Sequence, residues 1–233
     1  MNEFGETIVT VDFDGNGKYT IFVSLTIKTG LMAIFYHGSS VVFDAFDLSH
    51  AREGDGKGKF GFGVYVTEEY ASAAHYAHNK KRPENTDYYV YTVEIPDKTA
   101  DNCLPLFKKV PVPASIVERT EAKLGETLPP EAKVEGIPFR KYLANVLTDN
   151  RKTVKQMTDK AAFEAEKAAS GFLLSIGVEL IEWPQGSWTK PKKSIMAVLD
   201  AAKVRILRID KVDLDPKKEF SLVKGSERLV KEF

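Results

Sequence analysis

The order in which strand-like and helix-like segments follow one another limits this chain more than any single motif in it. Residues 7–14 (IVTVDFDG) and 18–28 (KYTIFVSLTIK) alternate apolar with polar side chains and are rich in β-branched types. Asp14-Gly15-Asn16-Gly17 lies between them, so the pair reads as a β-hairpin. Further short strands are expected at 33–37, 62–67, 87–95, 177–183, 194–199 and 203–209. Apolar residues at three- and four-residue spacing mark helices at 68–80, with Thr67 as cap, and at 114–125, 138–148 and 151–175. A doubly wound parallel sheet needs strands and helices in regular alternation, and this order lacks it. The expectation is an α+β fold in one domain over 1–233, with an N-terminal hairpin in 1–30 and a helical insertion over 97–175.

Charge and cysteine content remove several functional classes. Lys+Arg 33 against Asp+Glu 33 leaves a formal net charge of +0, so no global positive field draws the chain to nucleic acid or to an anionic membrane. Any such contact needs a local patch. Cys103 is the one cysteine, which excludes an intrachain disulfide, a four-cysteine zinc site and a CxxC redox pair. No run approaches the roughly 20 apolar residues of a membrane helix. With Glu3 and Glu6 and no basic stretch, the N-terminus does not read as a secretory signal, and a reducing cytoplasm is the expected location.

Three motif-like patterns lack the context their chemistry requires. Asp12, Asp14, Asn16 and Gly17 match the first half of a calcium loop, but Val23 stands where a bidentate Glu is needed. Residues 56–61 (GKGKFG) satisfy GxGxxG, yet they follow a polar stretch and lead into a strand, the reverse of a dinucleotide fingerprint. His75 and His78 share a predicted helix and His50 is near in sequence, but no Cys or carboxylate stands at ligand spacing, so no metal site is expected.

The segments Tyr36-His37-Gly38-Ser39 and Gly61-Phe62-Gly63-Val64-Tyr65-Val66-Thr67, the latter followed by Ala71-Ser72-Ala73-Ala74-His75-Tyr76, stand in an order and separation that carry more weight. Together they resemble the NAD-binding core of the ADP-ribosyltransferase superfamily, in its diphtheria-toxin-like and poly(ADP-ribose) polymerase-like branch, marked by a His-Tyr-Glu set. The resemblance covers about 31–96 well and 170–210 in part. It implies two packed, mostly antiparallel sheets with an NAD cleft between them, and NAD as co-substrate. It implies NAD contacts from His37, Gly38, Ser39, Gly63, Tyr65 and Tyr76. His37 would bond a ribose hydroxyl, the Gly38 backbone would pair with the nicotinamide carboxamide, and Tyr65 and Tyr76 would enclose the nicotinamide ring by stacking and cation–π attraction.

The chain departs from the family at two places. A serine that contacts the carboxamide in the polymerases falls at Ala73, and the Glu that begins a late strand falls on Ile195, or on Ser194 with a one-residue slip. Loss of that Glu accompanies mono- rather than poly-ADP-ribosylation in the family, and in some members loss of activity. Glu182, Gln185 and Ser194 are the candidates to stand in for it, with Glu182 or Gln185 preferred. The loop 183–193 (WPQGSWTKPKK) falls where the family carries its target-recognition loop. Trp183 reads as a core anchor, whereas Trp188 beside Lys190, Lys192 and Lys193 pairs a stacking surface with a basic patch suited to a base and its phosphate. The resemblance thus implies NAD-dependent mono-ADP-ribosylation of a protein or nucleic-acid acceptor, as in toxins and anti-phage defence effectors, with an antitoxin or inhibitor as a further partner. The alternatives are a catalytically silent module that binds NAD, ADP-ribose or a partner, and an NAD glycohydrolase or tRNA 2′-phosphotransferase-like enzyme.

Overall fold

The computed structural model describes residues 6–13, 19–26, 33–50, 60–78, 87–148, 159–185 and 193–233; for 6–26 and Asp159 it describes the backbone. The chain divides into two compact units, Met1–Met32 and Ala33–Phe233. In the first, β1 (Glu6–Phe13) pairs antiparallel with β2 (Tyr19–Thr26), from Glu6↔Thr26 to Phe13↔Tyr19, as the alternating pattern predicts. The calcium-like turn between them lies outside the described residues, and so does most of the GxGxxG stretch.

The second unit runs β3 (Ala33–Ser39), β4 (Val64–Thr67), α1 (Tyr70–Ala77), β5 (Tyr88–Ile95), β6 (Cys103–Pro105), α2 (Ala114–Leu124), α3 (Pro130–Lys133), α4 (Gly136–Leu147), α5 (Asp159–Ser175), β7 (Leu180–Pro184), β8 (Ser194–Val198), β9 (Arg205–Val212), β10 (Leu214–Asp215), β11 (Ser221–Leu222) and β12 (Arg228–Glu232). Eight of these strands form one sheet in the order β12-β9-β5-β3-β4-β8-β7-β6, antiparallel throughout except at β6–β7. It is an α+β fold, as expected, with a large mixed sheet.

One weak seam divides that sheet. β3 pairs with β5 from Ala33↔Ile95 to Ser39↔Tyr89, and β4 pairs with β8 from Val64↔Val198 to Thr67↔Ile195. Between β3 and β4 the ladder has a single pair, Tyr36↔Thr67. Because side chains alternate across a strand, odd residues of β3 and even residues of β4 share the face opposite that pair. On this inner face Phe35, Tyr91 and Ile209 from one half sheet lie in the same buried cluster as Val66, Met196 and Val198 from the other. The two halves therefore fold toward each other across the seam. This corrects the expectation of two separate packed sheets: the strands stay in one ladder, and its poorest joint acts as the fold line.

The outer face is covered by helices of two origins. α1 packs Ala73 and Ala74 against Val90, Val212 and Leu214 on the β3 side. On the β4 side Ile116, Phe139, Leu143 and Leu173 of α2, α4 and α5 bury Ile181, Trp183, Ile195 and Ala197. With both faces covered, every residue of β7 is buried. The segment 97–175, expected as a helical insertion, thus supplies a cover layer and the edge strand β6. α2 ends at Gly125, whose φ of 73° is the left-handed C-cap conformation that glycine adopts without strain. Thr67 departs from the expectation of a helix cap. It is still paired to Ile195 in β4, so the helix begins two residues later with Glu69 as its N-cap, while the Thr67 hydroxyl accepts the Glu69 N–H at 3.3 Å. No helix among the described residues is long and apolar enough to cross a membrane.

Gly38 is where α1 touches the sheet. A Cβ there would fall on the Ala73 carbonyl and lie 2.6 Å from the Ala77 amide, both helix backbone that cannot give way. Gly38→Ala should therefore lower the unfolding free energy by about 1–3 kcal/mol through overpacking. Gly171 of α5 has open space around its Cα, and Gly171→Ala should raise it by about 0.5–1 kcal/mol through helix propensity. Urea denaturation of the two variants checks both signs; a neutral Gly38→Ala would refute the close packing of α1 on β3.

Candidate functional site

The seam places His37 on the inner face of β3, one residue past the last pair with β4. From Gly38 and Ser39 onward the β4 edge has no β3 backbone partner, and the His37 side chain takes up the Tyr65 carbonyl instead, Nδ1 standing 2.7 Å from it. A carbonyl only accepts, so Nδ1 carries the hydrogen and a neutral ring presents Nε2 as a lone-pair acceptor. Edge-on rings of Phe46 at 5.0 Å and Tyr91 at 6.0 Å hold the imidazole in place. Burial among them holds its pKa below the ordinary 6.5, with the bond to the Tyr65 carbonyl pulling the other way.

Tyr65 and Tyr76, expected to enclose one ring, have different surroundings. The Tyr65 ring packs edge-on against Trp183 at 5.0 Å, and its hydroxyl donates to the Gly61 carbonyl at 2.9 Å and accepts the Phe60 N–H at 3.2 Å. Burial pushes this phenol up to about 12. Trp183 is the core anchor that its position suggests, stacked on Phe60 at 4.6 Å. Near Tyr65, on α4 and α5, Arg140 and Glu166 form a mostly buried ion pair at 3.3 Å, which the sequence pattern did not single out. Tyr76 instead stands 55% exposed on the outer edge of α1 and lines a cavity of about 440 Å³ together with Ser72 and Gln185.

Gln185 belongs to a polar network at the end of β4. Its Oε1 accepts the Thr67 hydroxyl at 3.0 Å, and its Nε2 donates to the Ser72 hydroxyl and to the Glu69 carboxylate at 3.2 Å. The Ser72 hydroxyl donates to Glu69 at 2.8 Å, and Lys193 closes the network with an ion pair to Glu69 at 2.6 Å. The Lys193 hydrogen bond, followed by that of Ser72, holds the Glu69 carboxyl below its usual range. Glu69 was missed because the sequence places it in the first turn of a helix, where carboxylates are common for electrostatic reasons alone.

The remaining expected residues have structural roles of their own. Glu182 is 6% exposed on β7 and paired with Lys98 at 3.0 Å. Ser194 stands opposite Pro184 at the start of β8. By continuation of the Thr67↔Ile195 register, Glu68 stands on the other side of Ser194, close enough for its charge to act on Lys98. The Ser39 hydroxyl accepts the Val41 N–H at 3.1 Å. Gly63 lies so close to β8 that a Cβ would meet the Val198 carbonyl at 2.5 Å. Gly38 likewise has its Cα covered by α1, so the absence of a side chain there serves helix packing. Trp188, Lys190 and Lys192 lie outside the described residues. Among the described residues no group of three or more His, Cys, Asp or Glu is placed to hold a metal ion.

The structure thus brings His37 together with the Tyr65 backbone, and Tyr76 together with Gln185, while Glu182 stands apart from the Tyr76 cavity. No family model, curated protein or solved structure matches the chain.

The depressed His37 pKa fixes a sign for pH dependence. Below about 6.5 the unfolded chain protonates this histidine while the folded chain does not, so stability is complete above that pH. It is lost as pH falls toward the folded value, at up to about 1.4 kcal/mol per pH unit. His37→Asn retains a donor for the Tyr65 carbonyl and has no proton to gain. Unfolding free energies measured between pH 7 and 5 should show the steeper loss in wild type; equal slopes would contradict a buried, neutral His37.

Proposed function

We propose that the chain transfers ADP-ribose from NAD to a macromolecular acceptor, one unit at a time. The observation that carries the reading is the seam. A histidine at the end of one strand is fixed in a single tautomer by the backbone of the neighbouring strand, and the helix that follows that strand supplies an exposed tyrosine. Nε2 of His37 fits a ribose hydroxyl as donor, and the half-exposed Tyr76 ring beside Ser72 and Gln185 fits a flat ring carrying an amide. Two expected contacts fit less well: Tyr65 spends its ring on Trp183, and Gly38 its free Cα on α1.

NAD supplies the ADP-ribosyl group and a nicotinamide leaving group. Within this chain, His37 orients the ribose through Nε2, and Tyr76 bears the ring that departs. Gln185 offers an amide oxygen toward positive charge developing at the sugar. Glu182 is the weaker candidate for that last role, because Lys98 neutralises it within the fold. Catalysis of this kind rests on positioning and electrostatics rather than on a nucleophile from the protein. The acceptor is a protein or a nucleic acid.

A second reading has its own support. Neither Ser194 nor Ile195 is a carboxylate, and Glu182 is held in an ion pair, which suits a module that binds NAD or ADP-ribose without turning it over.

Incubating the protein with NAD labelled in its adenylate half and with cell lysate, followed by separate protease and nuclease digestion, tests the reading. Label on a macromolecule is expected. His37→Ala and Gln185→Ala should each lower the rate by on the order of a hundredfold, and Glu182→Ala should leave it within a few-fold of wild type. A folded His37→Ala variant with wild-type rate would remove the assignment, and NAD binding without turnover would favour the silent module.

A further inference from the structure

The cavity beside Tyr76 has a second wall that the transfer reading does not use. Across from Ser72, Tyr76 and Gln185 stands the hairpin of β10 and β11 and the turn after it, which bring Lys218, Glu219 and Lys224 to the rim. The sequence marks this region only as charged.

The hairpin is held in an unusual shape. Glu219 and Phe220 are consecutive non-glycine residues in the left-handed region, with φ of 52° and 55°, a conformation that persists only where surrounding structure enforces it. Two contacts enforce it here. The Phe220 ring stacks flat on His78 at 3.4 Å and 9°, and its N–H donates to the Asp215 carbonyl at 3.0 Å. His78 closes α1, so the strained turn ties the hairpin to the helix that carries Tyr76.

The charges on this wall are available. Lys218 lies 3.9 Å from Asp215, a long separation for an ion pair, with its side chain 78% exposed. Lys224 forms no ion pair with any described residue. Glu69, hydrogen-bonded to the cavity residues Ser72 and Gln185, is already engaged by Lys193. Partial burial raises the Tyr76 phenol above its ordinary 10.0, so the ring is neutral and keeps its hydroxyl proton at physiological pH.

From this arrangement we infer that the cavity is a nucleotide site, with a base on the Tyr76 ring and a diphosphate between Lys218 and Lys224. An aromatic face and two unspent ammonium groups on opposite walls match a ligand that is flat at one end and doubly anionic at the other. The volume, about 440 Å³, lies in the range of small-molecule sites. Ser72 Oγ and Gln185 Oε1, whose neighbouring donors are committed to the Glu69 network, each keep an acceptor lone pair for the base edge. Glu219 is the carboxylate on the rim and opposes the anion, so it sets an upper limit on the charge the site accepts. If transfer from NAD also holds, nicotinamide takes the Tyr76 face when NAD is bound and its diphosphate reaches the lysines, whereas ADP, which lacks that ring, lays its adenine there; binding of ADP rests on the cavity alone.

Calorimetric titration of the full chain with ADP, adenosine and a single-stranded oligonucleotide tests the inference. ADP should bind, and the double variant Lys218→Ala/Lys224→Ala should weaken it by about tenfold or more, as for loss of charged hydrogen bonds. Adenosine should lose affinity in Tyr76→Ala and keep it in the double-lysine variant. Lys217→Ala, at a neighbouring lysine outside the cavity, should leave ADP binding unchanged, and Glu219→Gln should tighten it. Added salt should weaken ADP binding more in wild type than in the double variant. Absence of ADP binding, equal ADP affinity in the double-lysine variant, or binding of the oligonucleotide alone each overturns the site. Lysine-dependent ADP binding without NAD turnover leaves this inference standing and removes the transfer reading. Turnover with lysine-independent ADP binding does the opposite.

Discussion

The hydrogen bond from His37 Nδ1 to the Tyr65 carbonyl spans the one place where the sheet is nearly open. β3 and β4 meet at Tyr36↔Thr67 and diverge beyond it, which leaves strand-edge carbonyls facing a partly buried gap. A buried backbone oxygen without a donor costs about as much as a lost hydrogen bond, so some group must fill the gap. An imidazole does this with one nitrogen and leaves the other uncommitted. The same ring packs among Phe43, Phe46 and Tyr91, which extends the inner core to the seam. The interaction that closes the fold line is therefore also the one that prepares a chemical group there.

Much of this was legible in the sequence, because strand alternation is a strong local signal. The hairpin, β3, β4, β5, β8 and β9 fall where period-2 patterning places them, and α2, α4 and the described part of α5 follow their helical spacing. Short or late elements were not legible. β6 is a three-residue edge strand ending in Pro105, and β10 and β11 are two residues each, below the length at which alternation can be read. β12 is exposed along its whole length and charged, so no apolar face announces it. The joining of both half sheets in one ladder also has no local signature, since it depends on a single cross-strand pair between residues about thirty positions apart.

The candidate site was legible by residue type and less so by surroundings. His37 spends one ring nitrogen on the Tyr65 carbonyl, Tyr76 is exposed, and Gln185 lines the same cavity as Tyr76. Gly38, Gly63 and the Tyr65 ring turn out to satisfy packing, because the backbone approaches of α1 to β3 and of the Gly63 turn to β8 leave no room for a side chain. A glycine in a motif carries the same letter whether it admits a ligand or a helix, and only the fold distinguishes the two. The Glu69–Ser72–Gln185–Lys193 network joins residues more than 110 positions apart and arises only once Gln185 and Lys193 meet the start of α1. The hairpin that faces Tyr76 is a further case, since its left-handed pair, Glu219 and Phe220, has no glycine to mark it.

The account rests on His37 being neutral, protonated at Nδ1 and open at Nε2. Nitrogen-15 spectra of protein labelled at histidine report the two ring nitrogens separately. At neutral pH His37 should show a protonated, pyrrole-type Nδ1 and an unprotonated, pyridine-type Nε2, and added NAD should move the Nε2 resonance while Nδ1 stays in place. A His37 ring protonated at Nε2, one that titrates at the ordinary histidine value, or one whose nitrogens both ignore NAD would contradict the account.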